Sequence, residues 1–141
     1  MSPIDQFFGK WQLETHDNFE NYMKELDVGM ITRKGALASM ALKPTLEISQ
    51  KGDKYEFASK STFKNSAIQF HLGEEFDEVA LDGRHVKTKI FLEGDKLVQT
   101  QVHTKEGEKD TVLTRWVEGG SKLILIWKCG SVQSTWTFTK A

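Results

Sequence analysis

The sequence predicts an all-β protein, an antiparallel barrel or sandwich, with two helices inserted near its N-terminal end. Short β-prone segments recur from residue 45 to residue 138, and turn signals such as Lys-Gly-Asp at residues 51–53 separate them. One earlier stretch, residues 17–37, has helical periodicity instead. Many short strands at regular spacing are typical of both β architectures.

About ten strands are expected. The first covers residues 7–13 and is interrupted by Gly9. The others cover residues 45–48, 54–57, 61–63, 68–70, 86–92, 96–102, 111–116, 122–128 and 132–138. About eight strands already enclose an interior that side chains or one small ligand can fill, so a barrel of this size has room for a ligand.

The first helix is predicted from the spacing of its apolar residues. They fall at i, i+3, i+4 and i+7, which places them on one face. These residues are Phe19, Tyr22, Met23 and Leu26. Asp17, with Glu20 three residues later, resembles a capping box that would begin the helix.

A second, shorter helix is expected over about residues 28–37. The sequence Asp-Val-Gly at residues 27–29 ends the first helix, and Gly29 and Gly35 weaken the second. The rest of the chain shows no repeat, linker or low-complexity tract. Residues 1–141 are therefore expected to form a single domain.

Charge and aromatic spacing argue against nucleic-acid binding. Nineteen lysines and arginines stand against 20 acidic residues, a formal net charge of -1, so the chain has no general attraction for phosphate backbones. A nucleic-acid-binding barrel needs a basic strand face with stacking aromatic residues. The four tryptophans are not interleaved with arginines in that way.

Cysteine content and hydropathy predict a cytosolic protein. Cys129 is the one cysteine, so no internal disulfide can form, and a reducing compartment is expected. Residues 1–6 lack the basic and apolar segments of a signal peptide. The longest clearly apolar run, residues 123–127, is far shorter than the ~20 residues that span a bilayer.

Motifs of catalysis and of metal binding are absent from the sequence. It contains no G-x-S-x-G, H-E-x-x-H, Walker or G-x-G-x-x-G pattern, so we expect no enzyme activity and no cofactor. The histidines lack the spacing of metal ligands; they are His16, His71, His85 and His103. A reactive thiol is one interpretation of Cys129, but Lys128 is its only basic neighbour in sequence, which favours a small buried or half-buried side chain.

Motifs along the whole chain resemble those of one family. The matching stretches are residues 8–13 (FGKWQL), 18–29 (NFENYMKELDVG), 32–34 (TRK), 43–44 (KP), 61–65 (STFKN), 72–78 (LGEEFDE) and 82–84 (DGR). In this respect the chain resembles the intracellular lipid-binding proteins of the calycin superfamily, that is, the cytosolic fatty-acid-binding proteins and cellular retinoid binders. Relative to that family it has small insertions near residues 36–42 and 104–110.

The resemblance implies a ten-stranded up-and-down β-barrel capped by a helix-turn-helix lid at about residues 17–37. A lipid would lie inside and enter between the lid and the neighbouring turns. This entrance, the portal, would include Val28, Ala36 and Phe63. Phe19 and Met23 would face the cavity, where core packing and ligand contact are equally open interpretations.

The family's head-group site is only partly matched. Two interior arginines and a tyrosine commonly receive the fatty-acid carboxylate there, the last two in an Arg-x-Tyr motif near the C-terminus. Arg115 matches the first arginine, but Trp136 and Phe138 occupy the Arg-x-Tyr positions. This replacement removes charge-assisted hydrogen bonds to a carboxylate.

Strand alternation indicates which side chains share the interior with Arg115. If Arg115 points inward then Leu113 does too, and the family register adds Leu125 and Trp127. Buried arginine stays charged, so it needs a carboxylate ligand or ordered water held with Gln101. A solvent-facing Arg115 is the other interpretation.

Two ligand classes remain open. Each buried methylene contributes ~0.8 kcal/mol, so tail burial dominates affinity and the head group sets preference. The protein would bind long-chain fatty acids through Arg115 alone, or carry lipids with neutral heads such as fatty amides, esters or retinoids. Arg115 argues against retinol. In either case we expect a monomeric, non-enzymatic carrier.

Basic residues near the portal have two interpretations each. Arg84 matches a portal-side arginine that contacts ligand through water in some relatives, or it is a solvated turn residue. Lys24, Arg33 and Lys34 would meet on the outside of the lid. That cluster would contact anionic membranes during lipid transfer or, as a second interpretation, act as a nuclear-import signal.

Overall fold

A computed structural model describes residues 3–60, 65–80 and 83–141. After a short 3-10 helix, Pro3–Phe7, the described elements are β1 (Gly9–Asp17), α1 (Phe19–Glu25), α2 (Met30–Ala41), β2 (Thr45–Lys51), β3 (Lys54–Lys60), β4 (Asn65–Phe70), β5 (Phe76–Val79), β6 (His85–Glu93), β7 (Lys96–His103), β8 (Thr111–Glu118), β9 (Lys122–Cys129) and β10 (Val132–Lys140).

The ten described strands form one antiparallel sheet in which neighbours in sequence are neighbours in space. The two ends of the chain meet because β1 pairs with β10, giving the order β4-β3-β2-β1-β10-β9-β8-β7-β6-β5. The described strands β4 and β5 are the ends of this order. There Phe70 of β4 stacks on Phe76 of β5 with ring centroids 6.0 Å apart. The predicted up-and-down β-barrel is confirmed.

Alternation along the strands places the core inside the barrel. In β10, Ser134, Trp136 and Phe138 are buried while the residues between them are more exposed. Directly paired residues of neighbouring strands point to the same face of a sheet. Arg115 of β8, Leu125 of β9 and Trp136 are paired in one cross-strand row, and all three are buried.

The N-terminal strand differs from the prediction. Residues 3–7 form the 3-10 helix, so Phe7 lies outside β1, which begins at Gly9 with φ 129° and continues to Asp17. The buried Trp11 indole donates to the Phe7 carbonyl over 2.9 Å. Apolar residues in this segment therefore pack as a turn of helix against the strand rather than extending it.

The predicted capping box is wrong. Asp17 is the last residue of β1, where its carboxylate accepts the Thr135 N–H and its carbonyl accepts the Ser134 hydroxyl. The N-cap of α1 is Asn18, which has φ 56° and caps no backbone N–H through its side chain. Pairing with β10 takes Asp17 out of the helix.

The second helix is longer than predicted. It runs over Met30–Ala41 instead of residues 28–37, so the lid extends beyond residue 37 and includes most of the stretch 36–42 where an insertion was expected. Gly35 does not interrupt it. The chain turns at Lys43, with φ 53°, and the Pro44 carbonyl then accepts the Leu13 N–H at 3.0 Å.

One strand was missed and one lies outside the described residues. Residues 76–79 form β5, where the inward position Glu78 is polar and conceals the usual alternation. The strand predicted over residues 61–63 falls in the stretch that the structure does not describe. Among the described residues, no helix is long and apolar enough to cross a membrane.

Candidate ligand-binding site

Arg115 lies inside the barrel with its side chain directed away from β8. The residue is 6% exposed. Its Nη1 donates to Gln99 Oε1 of β7 at 2.9 Å, and the guanidinium carbon lies 4.7 Å from the centroid of the Phe57 ring. Phe57 belongs to β3, far from β8 in the sheet order. The arginine therefore crosses the interior, and the interpretation that it faces solvent is wrong.

A polar network connects Arg115 to an acidic residue. Glu78 Oε1 accepts from the Gln99 and Gln101 amides at 3.0 and 3.1 Å, and from the Thr88 hydroxyl at 2.7 Å. We call this set of residues the polar network: Glu78, Thr88, Gln99, Gln101, Thr111 and Arg115. Gln101, with ordered water, was expected from the sequence to satisfy Arg115. In the structure Gln99 makes the direct contact. Gln101 instead bonds to Glu78 and accepts the Thr111 hydroxyl at 2.7 Å.

Burial shapes the electrostatics of this network. Loss of solvent lowers the pKa of the Arg115 guanidinium to about 10, and the Glu78 carboxylate acts in the opposite direction. Arg115 therefore remains a cation at neutral pH. Its Nε is buried and has no hydrogen-bond partner within the described part of the chain. A buried donor without an acceptor is costly, so this atom favours an anionic or polar ligand.

Aromatic side chains fill the interior next to the lid. We call them the aromatic cluster: Phe19, Tyr22, Trp127, Trp136 and Phe138. The Phe19 ring of α1 meets Trp136 edge-on at 4.9 Å and Trp127 at 5.3 Å. Trp136 and Phe138 both point inward and are buried. They replace the polar Arg-x-Tyr pair with an apolar wall.

A narrow cavity lies under α1, beside Trp127. It measures about 20 Å³, space for about one water molecule. Predicted site residues line it: Phe19, Met23, Ala36, Arg84, Gln101 and Trp127. Tyr22, Leu26, Thr32 and Ala80 complete the lining. The structure thus places the two lid residues predicted to face the cavity, Phe19 and Met23, against the interior.

A wider cleft of about 270 Å³ opens outside the lid. Val28 and Arg84 line it, together with residues 107–109 of the turn between β7 and β8. Arg84 borders both the cleft and the inner cavity, which places it at the portal. Phe63, the remaining predicted portal residue, lies outside the described residues.

The long turn between β7 and β8 contacts the lid, which the sequence did not indicate. Lys109 Nζ forms a salt bridge with Glu25 Oε1 of α1 at 3.0 Å. Arg84 Nη1 donates to the Lys109 carbonyl at 2.9 Å. The Glu25 carboxylate raises the pKa of the Lys109 amine. The turn at residues 104–110, where an insertion was expected, thereby forms one side of the portal.

The basic residues of the lid do not all lie on its outer surface. Arg33 Nη1 donates to the Val28 carbonyl at 2.6 Å, so this side chain is half-buried against the turn between the helices. Lys24 and Lys34 are exposed. The prediction of a shared exposed cluster is therefore wrong for Arg33, because the open carbonyl of the turn attracts the guanidinium.

The described part of the chain has neither a metal-binding cluster nor an exposed thiol. No group of three histidine, cysteine, aspartate or glutamate residues there could hold a metal ion. Cys129 is buried, and burial raises the pKa of its thiol. Its prediction as a small buried side chain is confirmed.

Replacing Glu78 by glutamine tests the balance within the polar network. Because Glu78 is the anion that compensates Arg115, we expect Glu78→Gln to lower the free energy of unfolding by about 1–2 kcal/mol. A fatty-acid carboxylate would then no longer compete with the Glu78 charge for Arg115. We therefore expect the affinity for a fatty acid to rise about threefold. Thermal unfolding and calorimetric titration measure the two effects.

Asp77→Asn is the matched control for this change. Asp77 is next in sequence, faces outward and pairs with Lys87 on the surface. This variant should leave fatty-acid affinity unchanged. An equal effect of both substitutions on binding would contradict a specific role for Glu78.

Comparisons with known proteins agree with this architecture. The model of the lipocalin / cytosolic fatty-acid binding protein family matches residues 8–132. Fatty acid-binding protein homolog 5 of Caenorhabditis elegans is 47% identical over 130 residues, covering 92% of this chain and 93% of the relative. Fatty acid-binding protein 12 of Mus musculus is 43% identical over 138 residues, covering 97% and 98%.

Solved structures give the same result. Apo lipid binding protein 8 of Caenorhabditis elegans superposes with a TM-score of 0.90 at 38% identity, covering 98% of this chain and 97% of the other. The Schistosoma mansoni fatty acid binding protein in complex with arachidonic acid has a TM-score of 0.88 at 33% identity, covering 99% of each chain. The chain described here therefore belongs to the lipocalin / cytosolic fatty-acid binding protein family.

Proposed function

We propose that this protein is a non-enzymatic intracellular carrier that holds a long-chain fatty acid inside the barrel, with the carboxylate at Arg115. The observation that carries the proposal is the buried cation whose Nε has no partner among the described residues. Charge-assisted hydrogen bonds to a carboxylate are about twice as strong as neutral ones. A fatty acid supplies both the missing acceptor and the opposite charge.

Tail burial supplies most of the affinity. At ~0.8 kcal/mol per methylene, a long acyl chain offers on the order of 10 kcal/mol before ordering costs are subtracted. A micromolar dissociation constant corresponds to about 8 kcal/mol. The head group therefore need not be held by three side chains, and Arg115 alone is sufficient for selectivity.

We expect ligand entry to displace part of the aromatic cluster. Ligand pockets commonly measure about 300–1,000 Å³, far more than the cavity of about 20 Å³ under the lid. Phe19 and Met23 of the lid line that cavity, while Val28 and Arg84 line the outer cleft. The ligand would pass between them and displace Phe19 from the tryptophans.

Carriage of neutral lipids is the less favoured function. A fatty amide or ester would leave the Arg115 charge without a counterion other than Glu78. A related protein is named for fatty-acid binding, and a structural neighbour holds arachidonic acid. Both support a free acid as the ligand.

Lipid extraction tests the proposal. The purified protein would be examined by native mass spectrometry, and the bound lipid would be extracted and identified. A free fatty acid at one-to-one stoichiometry is the expected result. If the delipidated protein bound no acyl ligand in a competition assay, the carrier function would be refuted.

The carrier would work in the cytosol as a monomer and deliver its ligand by brief membrane contact. Ile31 and Met30, at the start of α2, are 89% and 59% exposed, and the exposed Lys34 follows on the same helix. Apolar side chains beside a cation suit an anionic membrane surface. Nuclear import through Lys24, Arg33 and Lys34 has less support, because Arg33 is held by the Val28 carbonyl.

Ile31→Ser should slow transfer of a fluorescent fatty acid to anionic vesicles about threefold or more, since it removes the most exposed apolar side chain of the lid. Val102→Ser, at an exposed apolar residue of β7, is the control and should have no effect. Equal transfer rates for Ile31→Ser and the unmodified protein would refute contact through α2.

A further inference from the structure

Two indole N–H groups in the aromatic cluster are buried without acceptors. Nε1 of Trp127 and Nε1 of Trp136 have no hydrogen-bond partner in the described part of the chain. Trp136 is 6% exposed, and the two ring centroids are 4.9 Å apart. Trp11 and Trp116, by contrast, donate to the Phe7 carbonyl and to Glu118 Oε2. The unpartnered pair is therefore confined to the ligand-side wall.

These donors are separate from the carboxylate site. Trp136 lies in the same cross-strand row as Arg115, two strands away, so their Cα atoms are about 10 Å apart. The guanidinium extends in another direction, toward Gln99 and the Phe57 ring. A carboxylate bound at Arg115 therefore leaves the indole N–H groups to contact the acyl chain.

Indole donates a hydrogen bond and cannot accept one, so both groups require an acceptor. A saturated hydrocarbon chain has none, and a buried donor left without a partner costs free energy. An oxygen on an acyl chain inside the barrel would satisfy these donors. The oxygen of a ketone, an epoxide or a hydroxyl group can accept a hydrogen bond from an indole N–H.

Resting on the fatty-acid carrier function proposed above, we infer that the preferred ligands are fatty acids that carry an oxygen acceptor partway along the chain. Trp136 and Trp127 donate to that oxygen while Arg115 holds the carboxylate. The two tryptophans are thereby specificity-determining residues. Trp136 stands at one of the two positions where the resemblance to the family would place the Arg-x-Tyr pair that contacts the carboxylate.

Competitive titration of the delipidated protein tests this inference. The probes are stearic acid and a series of oxo derivatives with the ketone at successive positions along the chain. We expect one region of the chain to favour the oxo acid over stearic acid about fivefold, the size of one net hydrogen bond. Trp136→Phe should abolish most of that preference, measured as the ratio of oxo acid to stearic acid affinity within the same variant.

Trp116→Phe is the matched control, because Trp116 has its own acceptor on Glu118 and should leave the preference intact. Equal affinity for stearic acid and every oxo isomer would overturn the inference and leave the carrier function standing. Failure to bind stearic acid and the oxo acids alike would overturn both.

An infrared measurement on the unmodified protein does not depend on how a variant folds. The ketone carbonyl of the favoured bound isomer should absorb at a lower frequency than that of an isomer whose ketone lies outside the favoured region. A carbonyl band at the position seen in hydrocarbon solvent would show that no indole donates to it, and would refute the assignment.

Discussion

Arg115→Gln is expected to weaken the binding of a long-chain fatty acid by roughly 10- to 100-fold. The estimate follows from the ~1.5–3 kcal/mol that a hydrogen bond to a charged group contributes. Glutamine is neutral and keeps an amide donor and acceptor, so the variant removes the charge and retains a polar side chain at this position. Calorimetric titration with the delipidated protein measures the effect.

Comparing a fatty acid with the alcohol of the same length shows whether the affinity lost in Arg115→Gln comes from the carboxylate contact. The alcohol of the same chain length should bind Arg115→Gln and the unmodified protein within about twofold, because tail burial is the same. An equal loss of affinity for acid and alcohol would show that Arg115 supports the barrel wall and does not receive the carboxylate. Circular dichroism of the variant checks that the barrel is intact.

Phe19→Ala is expected to lower the free energy of unfolding by about 3–5 kcal/mol, the usual cost of truncating a buried phenylalanine. Phe19 is buried and contacts Tyr22, Trp127 and Trp136 through ring faces and edges. α1 has only seven residues, too few to be stable without such packing. Denaturant unfolding measures the loss.

The same substitution should speed ligand exchange, since it detaches the lid from the tryptophans. Stopped-flow displacement of a fluorescent fatty acid gives that rate. Ile31→Ala is the control: its side chain is exposed on α2, so its effect on stability should stay within about 0.5 kcal/mol. If Phe19→Ala unfolded at the same denaturant concentration as Ile31→Ala, the lid would not depend on this contact.

Local sequence patterns were sufficient to predict most of the strands and the first helix. β-prone segments and turn residues predicted nine of the ten described strands in part or in full when residues 68–70 are counted within β4, and the spacing from Phe19 to Leu26 predicted the first helix. These signals are local, because a strand or helix with one buried face repeats its own period in sequence. The resemblance to a known family added the closure of the barrel.

Element boundaries depended on tertiary contacts instead. Asp17 suits a helix N-cap, yet pairing with β10 holds it in a strand. Phe7 suits a strand, yet it lies in a 3-10 helix, where its carbonyl accepts a hydrogen bond from the Trp11 indole. The partner of Asp17 is distant in sequence, whereas Trp11 is only four residues from Phe7. In both cases hydrogen bonds to a specific partner outweigh local propensity.

The sequence by itself determined that Arg115 shares a strand face with Leu113, and Trp136 with Phe138, because side chains two residues apart in a strand point the same way. The family resemblance added that these faces are turned to the interior. Only the tertiary structure decided what Arg115 contacts. Gln99 accepts a hydrogen bond from it and links it to Glu78 of β5, and no spacing in the sequence joins these residues. The same holds for the unpartnered indoles of Trp127 and Trp136, because whether a buried donor has an acceptor is a property of the packed interior.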